Sequence, residues 1–283
     1  MSKEGPEPHS AKFSRLLSLL QQTESAVLAF SGGVDSSFLL RSLKMAGVRF
    51  LAVTGYSETV PERDILLARS FAGQEGVEHQ VVNTGEMQDE LFTANTPERC
   101  FYCKQDLFRR LQEIAGAYGY QSLFDGSNAD DLNDFRPGRK AAGLYGVRSP
   151  LAECGLSKQD IRVLSKELGL ETWDRPASPC LSSRFPYGQR ITPNILRRVE
   201  KAEEFLKSLG MKTVRVRVQG DSARIELPVQ DIPIMVEEDM RSRVTETLHA
   251  LGFAFVSLDL DGFRSGSMNR SLPEELRHNS SPV

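Results

Sequence analysis

The chain has 283 residues, 40% of them hydrophobic, and a formal net charge of −3. This length suits one large and one small domain with proper cores, which argues against an extensively disordered protein. No apolar run approaches the roughly 18–20 residues that span a bilayer, the N-terminus is polar, and the pI of about 5.9 argues against a nucleic-acid partner. We therefore expect a cytoplasmic protein that binds no membrane.

Apolar periodicity predicts alternating strands and helices in the first half of the chain. This alternation predicts an α/β fold with a doubly wound parallel sheet and right-handed crossovers. A ligand binds such a sheet beyond the carboxyl ends of its strands, where the strand order reverses, here between the first and fourth strands. Helices are predicted at residues 11–22, 61–75 and 97–118, and strands at 26–28, 49–54, 77–82 and 122–124.

A serine- and glycine-rich turn lies between the first strand and the next helix. Its glycines permit a tight turn and close approach to a ligand, and its hydroxyls stand at a helix N-terminus that favours anions. We interpret it as a phosphate cradle, although a Ser-Gly-Gly turn alone is also ordinary loop sequence. The candidate residues are Ser31, Gly32, Gly33, Asp35, Ser36 and Ser37.

A second polar loop, Asp-Gly-Ser-Asn-Ala-Asp-Asp, follows the predicted fourth strand. At the point where strand order reverses, it faces the first loop, and its oxygen ligands suit Mg²⁺ held against phosphates. The candidates are Asp125, Asn128 and Asp131. The alternative is a polar turn whose side chains cap backbone groups.

The second half predicts a linker and a small α+β domain. We place the first domain at residues 1–174, the linker at 175–191, the small domain at 192–272 and a disordered tail at 273–283. Before the linker, Ser157 and Asp160 predict a capping box. The small domain has predicted helices at 193–209 and 235–251 and strands at 213–218, 223–227 and 253–258.

Cys180 stands in the proline-rich linker, where prolines place it on extended or turned backbone. Neighbouring arginines, Arg175 and Arg184, favour a nucleophilic thiolate. The alternative is a small buried residue in a hinge.

Cys100 and Cys103 form a C-x-x-C near the start of the predicted helix 97–118. Such a pair is typical of a redox site, half a zinc site, or two ligands of an iron–sulfur cluster. The four histidines offer no good zinc pairing. Cys154 fits no motif, and we interpret it as structural.

Arg215 and Arg217 alternate with valines on one predicted strand. Alternating charge is usually a solvated face. The same pair near a domain junction is also a fork for phosphate or carboxylate.

Taken together, these motifs resemble a known family. The string S-G-G-x-D-S-S resembles the PP-loop of the ATP pyrophosphatases, and the linker P-A-S-P-C-L-S-S-R-x-P-Y-G resembles that of the LarE-type sulfur transferases, which supply sulfur to the nickel-pincer nucleotide cofactor of lactate racemase. The segments D-G-S-N-A-D-D, S-K-Q-D-I-R and F-R-S-G-S-M-N extend the resemblance over most of the chain.

The resemblance implies that the PP-loop holds ATP, that a carboxylate of a pyridinium dicarboxylate mononucleotide is adenylated, and that Cys180 displaces AMP. In the sacrificial version, Cys180 gives up its own sulfur and becomes dehydroalanine. Members with the C-x-x-C imply instead a [4Fe–4S] cluster on Cys100, Cys103 and Cys180. The family's pocket for the substrate phosphate corresponds to Arg215, Arg217 and Arg264, and we expect a homo-oligomer. The rival functions are a PP-loop tRNA thiolase and an amide-forming synthetase.

Overall fold

The computed structural model describes residues 7–133 and 137–264, and these fall into two compact units. Unit 1 comprises the described residues up to Glu86 together with Cys100–Ser178. Unit 2 comprises Met87–Arg99 and the described residues from Pro179 onward. The division into domain, linker, small domain and tail stays a prediction, and its tail, 273–283, lies outside the described residues.

The longer helices of the described chain match the sequence-based assignment, whereas three short ones, Glu90–Thr93, Gly138–Leu144 and Pro150–Glu153, were not predicted. Among these residues, no helix is long and apolar enough to cross a membrane. In chain order they are α1 His9–Gln21, α2 Val34–Met45, α3 Glu62–Glu75, α4 Glu90–Thr93, α5 Arg99–Tyr118, α6 Gly138–Leu144, α7 Pro150–Glu153, α8 Lys158–Glu167, α9 Pro193–Ser208, α10 Ile232–Val236 and α11 Glu238–Ala250.

Unit 1 is built on a parallel sheet of five strands in the part of the chain that is described. The strand order is β3-β2-β1-β4-β5, and every neighbouring pair is parallel. This confirms the predicted doubly wound α/β fold, with β1 between β2 and β4. The strands are β1 Ser25–Ala29, β2 Arg49–Tyr56, β3 His79–Asn83, β4 Ser122–Phe124 and β5 Val147–Arg148. The two-residue β5 was not predicted, because two residues carry no periodicity.

Strand β1 shows why the sheet is buried on both faces. Ala26 and Leu28 pack into a core with α1, α2 and α8, whereas Val27 packs into the opposite core with α5. Alternate residues of a strand point to opposite faces, so an all-apolar strand needs helices on both sides. The predicted capping box is confirmed, since Ser157 and Asp160 exchange side-chain and backbone hydrogen bonds at the start of α8.

Unit 2 carries a three-stranded sheet in its described part. The strands are β6 Arg215–Gln219, β7 Ser222–Glu226 and β8 Phe255–Leu258. Strands β6 and β7 are antiparallel, and β7 and β8 are parallel. The predicted helix 235–251 is wrong in one respect, because it is divided into α10 and α11. The division occurs at Glu237, whose extended backbone (φ −57°, ψ 140°) ends one helix before the next begins.

Candidate active site

The PP-loop connects the carboxyl end of β1 to α2 through a tight, internally bonded turn. Gly32 has φ +68°, and a Cβ there would stand 2.9 Å from the Ala68 Cα atom, so glycine alone fits without strain. Ser36 Oγ lies 3.1 Å from Ser31 Oγ and donates to the Gly33 carbonyl oxygen. These two serines hold the loop's shape rather than pointing freely at a ligand.

Two other side chains of the loop each have one polar atom that makes no hydrogen bond within the described chain. Asp35 Oδ1 and Ser37 Oγ are buried and have no hydrogen-bond partner within the described residues. Burial raises the pKa of the Asp35 carboxyl above its usual value, and the Asp131 carboxylate adds to the effect, whereas Lys158 and Asn128 oppose it. Unpartnered buried polar atoms are costly in a folded protein. Their presence beside a helix N-terminus fits a site that receives phosphate oxygens and a divalent cation.

Lys158 is a residue of this site that sequence reasoning missed. Its Nζ lies 2.6 Å from Asp35 Oδ2, and it is the first residue of α8. A lysine in the first turn of a helix opposes the helix dipole. This unfavourable position was the available signal in the sequence, and by itself it does not identify a partner for the lysine.

The loop after β4 meets the PP-loop, as predicted. A Cβ on Gly126 would stand 3.0 Å from the Ser36 backbone nitrogen, so the two loops are in close contact. The neighbouring Asp125 is held in place by three donors: the backbone N–H and hydroxyl of Ser127 and the hydroxyl of Ser149. Lys104 Nζ also lies 3.9 Å from its carboxylate.

The rest of this loop is a capped turn beside Asp35. Asp131 Oδ2 accepts from the Asn128 backbone N–H at 3.0 Å, and Asn128 Oδ1 accepts from the Asp130 N–H at 2.9 Å. Asp130 in turn accepts from the Lys158 N–H. These are the contacts of the polar-turn alternative, and they also fix Asn128 and Asp131 where they influence Asp35. Their role toward Mg²⁺ stays a prediction.

The first part of the predicted linker belongs to unit 1 and is anchored at the PP-loop. Arg175 donates a hydrogen bond to the Gly32 carbonyl oxygen, and the Ser178 hydroxyl donates to Asp64 at 2.6 Å. Arg175 was expected to act on Cys180. Its described hydrogen bond supports the phosphate cradle instead.

The C-x-x-C lies at the start of α5, within the predicted helix 97–118. Cys100 is exposed and Cys103 is partly buried, with Cys103 Sγ 3.9 Å from Glu86 Oε1. Residues three apart on a helix share a face, so both thiols face the same side of α5. Among the described residues, no group of three or more His, Cys, Asp or Glu side chains is arranged to hold a metal ion. Cysteine thiolates remain the right donor type for an iron–sulfur cluster.

Cys180 belongs to unit 2, where it precedes a short 3₁₀ helix, Leu181–Arg184. Its backbone is extended (φ −55°, ψ 155°), as the prolines predicted, and its side chain is partly buried. The Cys180 carbonyl oxygen accepts hydrogen bonds from the Ser183 N–H, the Ser183 hydroxyl and the Arg184 guanidinium. The hinge alternative predicted a small buried cysteine, and the partial burial of Cys180 leaves both alternatives open.

The arginines of β6 do not form a solvated face. Arg215 and Arg217 are 8% and 7% exposed. Arg217 forms an ion pair with Glu226 at 2.8 Å, and Arg215 lies over the Phe263 ring. Arg264 follows Phe263 in sequence and pairs with Asp261. The rest of the F-R-S-G-S-M-N segment lies outside the described residues.

Comparison with known proteins identifies the family. No family model matches the chain. The chain is 42% identical to an uncharacterised protein of Synechocystis over 93% of its own length and 98% of the relative. It is 40% identical to the pyridinium-3,5-bisthiocarboxylic acid mononucleotide synthase of Lactiplantibacillus plantarum, over 93% of the chain and 95% of that protein.

More distant relatives share part of the chain. The tRNA-specific 2-thiouridylase of a Caulobacter species is 29% identical over 54% of the chain and 47% of its own length. This partial match supports the PP-loop superfamily, whereas the match to the mononucleotide synthase extends through both units. The chain therefore belongs to the family of the pyridinium-3,5-bisthiocarboxylic acid mononucleotide synthases, the LarE-type sulfur transferases.

Proposed function

We propose that the protein is an ATP-dependent sulfur transferase that converts a carboxylate of a pyridinium dicarboxylate mononucleotide into a thiocarboxylate, for nickel-pincer cofactor biosynthesis. One structural observation carries the ATP half of this proposal. Asp35 Oδ1 and Ser37 Oγ, which are buried and have no hydrogen-bond partner within the described chain, stand in a cradle after β1, the strand that pairs with β4. The acceptor half rests on similarity along nearly the whole chain to a synthase named for that class of product.

The first step is adenylation of the substrate carboxylate. A carboxylate oxygen attacks the α-phosphorus of ATP, and pyrophosphate leaves to give an acyl adenylate. The cradle binds and orients ATP, while Ser37 and the free N–H groups at the start of α2 stabilise negative charge on the leaving group. Mg²⁺, which Asp35 and Asp131 are suited to hold, supplies further charge neutralisation when bound.

The second step transfers sulfur. The Cys180 thiolate attacks the acyl carbon, a C–S bond forms, and AMP leaves with the electrons of the C–O bond. In the sacrificial route, a base removes the Cys180 α-proton and the Cβ–S bond breaks, which leaves a thiocarboxylate and dehydroalanine. In the alternative route, Cys100, Cys103 and Cys180 would hold a [4Fe–4S] cluster, which would carry an exchangeable sulfide as the sulfur source. The homo-oligomeric state and the cytoplasmic location also stay predictions.

The two rival functions make different demands on the protein. A tRNA thiolase is supported by the distant 2-thiouridylases, but these match only about half of the chain. No observation in the described residues favours an amide-forming synthetase. Incubation with ATP, Mg²⁺ and either tRNA or the pyridinium mononucleotide, followed by mass analysis of both acceptors, separates all three functions.

The test of the ATP site is Asp35→Ala and Ser37→Ala. Ser37→Ala removes a hydroxyl that has no hydrogen-bond partner in the described residues, and Asp35→Ala removes one such oxygen together with the oxygen that pairs with Lys158. The fold should be retained in both, while pyrophosphate and AMP formation are abolished. Pyrophosphate release is measured with substrate present, and circular dichroism checks the fold. Undiminished release from either variant would remove the PP-loop from the mechanism.

A further inference from the structure

Arg184 is an unusual residue for a small domain. It is the largest side chain among the fully buried residues of the described chain, at 1% exposed. Removing a guanidinium from water is costly, and it is tolerated only with good charge pairing and complete hydrogen bonding. The contacts of Arg184 therefore indicate why this side chain is buried.

One side of the Arg184 guanidinium is paired with Glu203 of α9. Nε and one terminal nitrogen each donate to a Glu203 carboxylate oxygen at 2.8 Å, in the two-pronged arrangement that only arginine offers. Burial alone would raise the pKa of Glu203, but the Arg184 hydrogen bonds and charge outweigh it and hold that pKa below its usual value. Glu203 also accepts from the Val216 N–H on β6 at 3.0 Å. The pair thus joins α9 and β6.

The other side of the guanidinium faces the backbone that carries Cys180. The second terminal nitrogen donates to the carbonyl oxygen of Pro179 at 2.6 Å and to that of Cys180 at 2.9 Å. It also donates to the Ser183 hydroxyl at 3.0 Å. These two carbonyls are those of the peptide units on either side of the cysteine.

A second buried arginine holds the other end of the same turn. Arg217 pairs with Glu226 through one side and donates to the Ser183 carbonyl oxygen at 2.8 Å through the other. Three backbone carbonyls between Pro179 and Ser183 are therefore bound by arginines. Each arginine is in turn fixed by a buried glutamate.

We propose that Arg184, fixed by Glu203, is a positioning residue that sets the backbone, and hence the thiol, of Cys180 for attack on the acyl adenylate. The inference rests on the sacrificial route of the proposed function, in which Cys180 is the attacking group and not a cluster ligand. Arg184 contacts the backbone of the attacking residue and is assigned no contact with substrate, so it acts through Cys180. Its counterpart Arg217 holds the carbonyl of Ser183, three residues further along the chain.

Stability alone does not account for this arrangement. A buried ion pair is often no more stabilising than an apolar pair of similar size, so a buried Arg–Glu pair is weak evidence of a purely structural role. A reacting group must lie within a narrow distance and angle of its target, and small misplacements reduce rates steeply. The arginine hydrogen bonds to the backbone carbonyls of this short, proline-flanked turn restrict the position of its backbone, and therefore of the thiol.

Two single variants, Arg184→Lys and Glu203→Gln, test the proposal. Lysine keeps the positive charge, but its single ammonium cannot bind the Glu203 carboxylate and both carbonyls together. In Arg184→Lys we expect the rate of pyrophosphate release to stay within about twofold of wild type. The amount of thiocarboxylate formed per AMP released should fall at least tenfold, because a misplaced thiol allows water to hydrolyse the adenylate first. Glu203→Gln should show the same uncoupling to a smaller extent.

The control is Arg197→Lys, a matched change at an exposed position of α9. It should leave both measurements unchanged. A structural role for Arg184 would instead lower pyrophosphate release and thiocarboxylate yield together with the melting temperature. An unchanged yield per AMP in Arg184→Lys would overturn the proposal.

If the wild-type protein forms no thiocarboxylate, the proposed function is refuted. A separate measurement then tests the positioning role of Arg184. The rate of Cys180 alkylation by iodoacetamide, mapped by peptide mass, reports the setting of the thiol without any sulfur transfer. Arg184→Lys should change this rate at least threefold, whereas Arg197→Lys should not. Equal rates in wild type and Arg184→Lys would refute the positioning role on their own.

Discussion

The ammonium of Lys158 lies 2.6 Å from the Asp35 carboxylate, although the two residues are 123 positions apart in the sequence. The contact joins the start of α8 to the PP-loop. It opposes the effect of burial on Asp35, because the Lys158 charge and hydrogen bond lower a pKa that burial raises. An ionised Asp35 is the form that binds a divalent cation, so Lys158 helps to keep the site in its working state.

The first prediction follows from this pair. Lys158→Met removes the contacts that lower the Asp35 pKa, so the pKa rises further and a smaller fraction of Asp35 is ionised at a given pH. The acid limb of the pH profile for pyrophosphate release should therefore move to higher pH. Lys201→Met, at an exposed position of α9, is the control and should leave the profile unchanged. A profile identical to wild type in Lys158→Met would contradict the role given to Lys158.

Lys158→Met should also lower the free energy of unfolding. Because the Asp35 pKa in the folded state is above its usual value, the ionised carboxylate costs stability once the pH exceeds about 3.8, and Lys158 reduces that cost. Lys158→Met should thus destabilise the protein by about 1–2 kcal/mol at pH 7.5, since Lys158 is only partly buried, and by less at pH 4.5. Thermal denaturation at the two pH values measures the difference.

The second prediction concerns the contact between the two loops. Gly126→Ala places a methyl group 3.0 Å from the Ser36 backbone nitrogen and 3.1 Å from its Cα, atoms that belong to the PP-loop itself. The loop must shift, so ATP affinity should fall at least tenfold, as measured by calorimetry. Gly143→Ala is the matched control on α6, where an added Cβ meets nothing within 4 Å. That control should keep wild-type affinity and gain up to about 1 kcal/mol of stability.

Much of unit 1 was predictable because its signals are local. Apolar β1, the Ser/Gly turn and the capping box at Ser157 each depend on residues close in sequence, and the structure contains all three. The meeting of the loops after β1 and β4 was also predictable, because parallel strands at a reversal of strand order bring their carboxyl ends together. The position of the candidate ATP site in the fold could therefore be predicted from the sequence.

The pairings that were missed are those between residues far apart in sequence. Lys158 and Asp35, or Arg184 and Glu203, meet only after helices have packed, and no period in the sequence relates them. The charges of β6 were misleading for a similar reason. Alternating Arg and Val usually indicates an exposed face, but Glu226 on the adjacent strand pairs with Arg217 and allows both faces to be buried.

The third prediction concerns Arg215 and Arg217. Arg215→Ala and Arg217→Ala should weaken binding of the mononucleotide more than binding of ATP, because each removes a charge-assisted hydrogen bond worth about 1.5–3 kcal/mol. Arg217 also pairs with Glu226, so Arg217→Ala leaves a buried carboxylate and should lower the melting temperature as well. Arg224→Ala, which removes the more exposed partner of Glu226, controls for that effect. Substrate affinity equal to wild type in both variants would limit these arginines to a structural role.

The last prediction concerns the source of the transferred sulfur. Cys100 and Cys103 share one face of the first turn of α5, a pairing that a purely sacrificial Cys180 leaves without a purpose. If these two cysteines and Cys180 hold a [4Fe–4S] cluster, anaerobically prepared protein should contain iron and sulfide in that proportion, absorb broadly in the visible range, and turn over repeatedly with added sulfide. Cys100→Ala, Cys103→Ala and Cys180→Ala should each abolish the absorption and the sulfur transfer, whereas Cys154→Ala, at a buried cysteine of unit 1, should retain both. Iron-free protein in which Cys180 loses the mass of one H₂S in a single turnover, with full activity in Cys100→Ala, would establish the sacrificial route instead.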